Sequence, residues 1–107
     1  MIDHDRRTIL AADIGVEFVG ELTQSFWADG WPLLEEALAC RANGDLAGLR
    51  RALHTIAGSA GNIGLTGIAQ AAGKAGAAVK SGDQLDLTRL SEAMNETFAL
   101  LKTGAAA

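Results

Sequence analysis

Between Leu46 and Ile63 the apolar residues Leu46, Leu49, Leu53, Ile56, Ala60 and Ile63 recur with steps of 3, 4, 3, 4 and 3. An α-helix brings such a series onto one face. Alternation of three and four is the seam of a helix that lies along other helices. The stretch is also punctuated at both ends. Ala42-Asn43-Gly44-Asp45 precedes it, where Asn43 and Gly44 can take positive φ and Asp45 can cap the next helix. Gly61-Asn62-Ile63-Gly64 closes it. A helix over 46–62 is expected, and the chain around it should be all-α.

The other segments agree with that reading. Residues 5–14 form a short helical candidate, with Asp5 as a plausible cap and Ile9, Leu10 and Ile14 on one side. Residues 16–43 carry Val19, Leu22, Phe26, Leu33, Ala37 and Cys40, interrupted at Asp29-Gly30-Trp31-Pro32. Pro32 cannot donate to the carbonyl of Ala28. The apolar phase survives the break, so one kinked helix is preferred to two meeting end to end. Trp27 and Trp31 are expected to pack against the short leading helix; the alternative is a partner-docking surface.

Residues 65–81 place Leu65, Ile68, Ala72, Ala75 and Val79 on one face. Interior glycines cost a helix roughly 1 kcal/mol each relative to Ala. Close helix-helix approach is the expected compensation for Gly67, Gly73 and Gly76. Residues 85–102 repeat the pattern with Leu87, Leu90, Met94, Thr97, Phe98 and Leu101, Asp86 being a candidate cap, and Thr103 to Ala107 should fray. Short connections make successive helices antiparallel neighbours. The expected fold is all-α, an antiparallel up-and-down four-helix bundle with a short extra N-terminal helix, forming one domain over residues 1–107.

Charge and composition narrow the function. The net charge of −4 lacks the concentrated basic face that nucleic acid requires. The single cysteine, Cys40, rules out an internal disulfide and a cysteine metal cluster, and its place in an apolar pattern reads as core. No stretch approaches the roughly 20 apolar residues that span a membrane. The polar start, Met1-Ile2-Asp3-His4-Asp5, is unlike a secretion signal. A cytoplasmic monomer is the expectation.

One reactive group stands out within the seam helix. At ~100° per residue, with Leu53 at zero, the seam centres near −30° and His54 lies near +100°. His54 therefore faces outward, about 130° from the core direction. Ala57, Gly61 and Gly58 follow on the same strip, near +40°, +80° and +140°. Helical side chains lean toward the N-terminus, so residues at i+3 and i+4 would cover His54. Ala57 and Gly58 have almost nothing to cover it with. The result is an imidazole open to a large partner. The plainer alternative is a surface histidine beside glycines that serve packing.

Few chemistries suit such a site. No Ser, Cys or carboxylate accompanies His54 in a hydrolytic pattern. His4 and His54, one of them in a terminal segment, do not make a metal site. The series Gly58, Gly61, Gly64, Gly67 has no Lys-Ser/Thr ending and no preceding strand, so it is no nucleotide cradle. What remains is nucleophilic work by an exposed imidazole, a group largely neutral at pH 7 with one nitrogen free to attack. A phosphoryl group is its natural electrophile.

Arg50-Arg51-Ala52-Leu53-His54-Thr55-Ile56-Ala57-Gly58-Ser59-Ala60-Gly61-Asn62-Ile63-Gly64 resembles the core of histidine-containing phosphotransfer (HPt) domains, whose pattern runs roughly R-x-A-H-x-L-K-G-S-A-x-x-I-G. The resemblance extends from the apolar pattern of Phe26 to Leu38, through Gly44-Asp45, to Ser81-Gly82-Asp83. It implies that His54 is the phosphoryl acceptor and that Gly58 keeps the approach open. It implies a phosphocarrier without its own ATP site, working with response-regulator receiver domains or hybrid histidine kinases, with Mg2+ on the receiver and no cofactor of its own. Two positions depart from the family. Its lysine three residues after the histidine is Ala57 here, and the Gln or Glu often found 22 residues after it is Gly76. Arg50, Arg51 and Lys74 are candidates to supply the missing charge, with Gly61 adding clearance. A degenerate module that binds a receiver or kinase without carrying phosphate is the alternative.

Overall fold

The computed structural model describes residues 1–83 and 85–102, and the expected fraying of Thr103 to Ala107 lies outside the described residues. Five helices account for most of them: α1 His4–Ile14, α2 Val16–Asn43, α3 Leu46–Asn62, α4 Thr66–Ser81 and α5 Thr88–Lys102. Among the described residues there is no strand. Helix α3 packs against both α2 and α4, α4 against α5, and α1 against α2. The molecule measures 42 × 21 × 18 Å. At ~1.5 Å per residue, α2 alone covers about that long dimension.

The seam of α3 is the centre of the core. Leu49, Leu53, Ile56 and Ala60 have no exposed surface, and Ala52 and Ile63 are nearly as deep. Around them pack Phe26, Leu34 and Ala37 from α2, Ile68, Ala72 and Ala75 from α4, and Leu90 and Met94 from α5. Leu46, the first residue of the series, is exposed. The cap falls where expected: Asp45 accepts from the Gly48 N–H at 2.9 Å. Gly48 is required beside it, because a Cβ there would collide with the Asp45 carboxylate and the Cys40 sulfur. Gly44 ends α2 in the left-handed conformation at φ 73°, which glycine adopts without steric cost.

Helix α2 is one helix with Pro32 inside it. Pro32 and Ala28 both lie on the exposed side, so the carbonyl that loses its donor is within reach of water. The buried stripe runs Val19, Thr23, Phe26, Gly30, Leu34 and Ala37 and passes straight through the break.

Three local expectations need correction. Asp3, not Asp5, caps α1, accepting from the Arg6 N–H at 2.9 Å. Trp27 and Trp31 do not pack on α1. They stack on each other at 5.5 Å, and each meets the edge of Phe98 on α5, at 5.1 and 5.9 Å. The reason is helical phase: Arg6 and Leu10 of α1 border the side of α2 that carries Leu22, Ser25 and Asp29, whereas Trp27 lies about 160° around the axis from Asp29 and meets Phe98 on α5. Cys40 is half-buried at the rim of the core rather than inside it, and its thiol donates to Asp45 at 3.7 Å.

The N-terminus is tied to the α3–α4 turn. Asp3 N–H donates to the Gly64 carbonyl at 2.7 Å and Gly67 N–H donates to the Met1 carbonyl at 3.0 Å. Arg7 donates to the Ile63 carbonyl at 2.9 Å, and partial burial lowers its pKa. Gly64 has φ 77°, and a Cβ there would lie 2.9 Å from both the Asp3 carbonyl oxygen and the Arg7 side chain.

Candidate functional site

Three residues, Ile63 to Leu65, turn the chain from α3 into α4, and the two helices then run back along each other. Between them lies a groove of about 540 Å³. One wall is Ala47, Arg50, Arg51, His54 and Ala57 of α3; the other includes Gly73, Gly76, Ala77 and Lys80 of α4. This is within the volume range of small-ligand sites. The lining holds one imidazole, three cations and no acidic side chain, on a chain whose net charge is −4.

His54 is exposed, as its helical phase requires. Among the described residues nothing hydrogen-bonds to its ring, so both nitrogens are uncommitted. Gly76 stands on the facing wall and has no side chain with which to hold it. One turn after His54, Ala57 is half-buried and Gly58 exposed. A Cβ built on Gly58 would meet nothing within 4 Å, so packing does not demand glycine there. Gly61 is nearly as open, its closest neighbour being the Ala69 methyl at 3.9 Å.

Gly73 and Gly76 behave in the same way: added Cβ atoms would meet nothing within 4 Å. Close helix approach therefore does not explain them, contrary to expectation. Both face the groove rather than the line of contact between α3 and α4, and what they provide is open space beside His54. Gly67 is the crowded one, with Met1 atoms 3.0 to 3.4 Å from its would-be Cβ.

The cations divide. Arg50 and Arg51 line the groove as their spacing from His54 suggests. Desolvation and the Asp45 carboxylate push the Cys40 thiol pKa up, and the Arg51 charge pulls against them. Lys74 does not share the groove. It lines a separate one on the α5 side, with Gln70, Asp86 and Arg89. Lys80 occupies the place sought for Lys74. Helical phase could have found it: Lys80 lies roughly 20° from Gly73 around the axis, whereas Lys74 lies about 100° away.

A family model described as the Hpt domain matches residues 12–104. The chain belongs to the Hpt domain family. Hpt domains act in phosphorelay signalling as phosphocarrier modules rather than as enzymes with a catalytic site of their own, and they interact with receiver domains and histidine kinases. No curated protein and no solved structure matches the chain. No helix among the described residues is long and apolar enough to cross a membrane.

Proposed function

We propose that the chain carries a phosphoryl group on His54 between receiver-domain aspartates in a multistep phosphorelay. The observation that supports this best is the His54 imidazole itself: exposed on α3, bonded to nothing among the described residues, and followed one turn later by Gly58, which has no side chain to cover it. A receiver domain or hybrid kinase needs such clearance to bring a phosphoaspartate in line with a ring nitrogen. The free nitrogen attacks phosphorus, the bond from phosphorus to the aspartyl oxygen breaks, and the carboxylate leaves with the electron pair. The other ring nitrogen then releases its proton to water, leaving a neutral phosphorylated imidazole. Mg2+ on the receiver would shield the charge of the transferring group. In this reading the chain is one domain, α2 to α5 form an antiparallel up-and-down bundle, and the protein works as a cytoplasmic monomer.

Incubation with phosphorylated receiver domains encoded by the same genome tests the assignment. Wild type takes up an acid-labile, base-stable label and His54→Gln takes up none. Label on His54→Gln defeats it. Ala57 and Gly76, which leave the ring without a nearby lysine on its own helix and without a holding side chain, favour the second reading of a docking module that carries no phosphate. Receiver binding by wild type without any label transfer selects that reading.

A further inference from the structure

We infer that Lys80 is the cation that meets the phosphoryl group on His54, supplying from α4 the charge that Ala57 is too short to supply from α3. This rests on the reading of His54 as phosphoryl acceptor. Three cations line the groove, and the lean of helical side chains separates them. A side chain on a helix tilts toward that helix's N-terminus. Arg50 and Arg51 precede His54 on the same helix, so they tilt away from it. Residues one turn after His54 tilt over it, but Ala57 carries a methyl group and Gly58 nothing.

Helix α4 runs the other way. Lys80 lines the same groove as His54, together with Ala77, Gly76 and Gly73, and the lean of helical side chains directs it toward them. Four residues of helix measure about 6 Å, within the reach of a lysine side chain. Gly76 and Gly73 leave room for it, because outside their own stretch of helix a Cβ at either would meet nothing within 4 Å among the described residues. Lys80 is also available, with no hydrogen bond or ion pair among the described residues. It neither gives nor takes a proton in the transfer. It is a positioning and charge-stabilising residue, and its ammonium gains most when the phosphoryl group arrives. The bare stretch of α4 and the missing lysine of α3 are thus two parts of one arrangement, in which the cation reaches across a gap instead of along its own helix.

The test uses the full chain and phosphoramidate, a small phosphodonor whose P–N bond breaks with loss of ammonia as the imidazole is phosphorylated. Loading rate and the pH titration of the phosphohistidine signal are followed by 31P NMR in wild type, Lys80→Gln, Lys80→Arg, Lys74→Gln and the double variant Ala57→Lys/Lys80→Gln. Lys80→Gln should load about tenfold more slowly, a loss near 1.4 kcal/mol of transition-state stabilisation. Its phosphoryl group should titrate at higher pH than in wild type, a shift that a purely structural lysine would not produce. Lys74→Gln should match wild type in both measurements. Lys80→Arg and the double variant should recover most of the rate, because each returns a cation to the groove. Wild-type rate and titration in Lys80→Gln overturn the inference. Absence of label on wild-type His54 overturns the acceptor reading itself, a failure distinct from the first.

Discussion

The two long sides of this molecule are held together by opposite means. On the α2–α5 side, Trp27, Trp31 and Phe98 form a cluster of rings 5.1 to 5.9 Å apart, extended by Phe26 at 4.9 Å from Trp27. Large side chains span the distance between helices and fill it. On the α3–α4 side, Ala57, Ala72, Gly73, Gly76 and Ala77 leave a groove. Small residues there join the helices along an inner line and leave the outer margin empty. The first side is filled out to its margin by rings, while the second is packed only along its inner line, beside His54. If the groove admits a receiver domain, as proposed, it cannot be filled, and the area its residues fail to bury has to be buried elsewhere.

The contrast can be broken by mutation, and the largest effect is expected on the aromatic side. Trp27→Ala removes a ring that is 9% exposed and touches three others. A loss of about 3–5 kcal/mol is expected, read as a fall in Tm of about 10 °C or more. Loading of His54 in the fraction still folded should be unchanged. If loading falls in parallel, the two sides are not separable.

A smaller effect of opposite sign is expected across the molecule. Gly76→Ala adds a methyl group that meets no neighbour. It should stabilise the protein by about 0.5–1 kcal/mol in urea unfolding, because alanine loses less backbone entropy than glycine in a helix. Gly76→Leu should then keep the fold but slow loading at His54 by filling the groove. Destabilisation by Gly76→Ala would mean that these glycines serve packing after all.

The smallest effect concerns the start of α5. Asp86 accepts from the Thr88 N–H at 2.9 Å, and that bond holds its carboxyl below the usual carboxylate range. A carboxyl whose pKa is lower in the folded state stabilises the fold above its unfolded pKa. The contribution disappears as pH falls through the lowered value. Asp86→Asn should therefore lower stability slightly near neutrality, where the contribution is complete, and leave it unchanged in strong acid, so that the acid limb of the profile flattens. An unchanged acid limb would show that the bond does not carry that linkage.

The legible parts of the chain were those where one periodicity and one cap agree. The α3 seam, the Asp45 cap and the Gly44 stop define a helix whose bounds match the expected ones, and the same phase puts His54 outside. The continuity of α2 through Pro32 followed from apolar phase alone. Illegible features depended on which helix lies opposite. Trp27 and Trp31 carry no mark that they face α5 rather than α1. Asp3 and Asp5 are equivalent caps until the Asp3 backbone is seen tied to Gly64. Lys74 differs in kind: its helix is legible, but only the phase of α4 around its axis separates Lys74 from the groove and admits Lys80.

The bond between Asp3 and Gly64 has a consequence for the order in which the chain folds. Helices α3 and α4 are neighbours in sequence, so their pairing closes a loop of only a few residues and can form early. The Asp3–Gly64 bond joins positions about 60 residues apart, and its acceptor exists in the right place only after the α3–α4 turn has formed. Docking of the N-terminal segment on that turn is therefore expected late, after the hairpin has formed. Unfolding should run in reverse, with the backbone amide of Asp3 exchanging with solvent before any amide in the α3 seam.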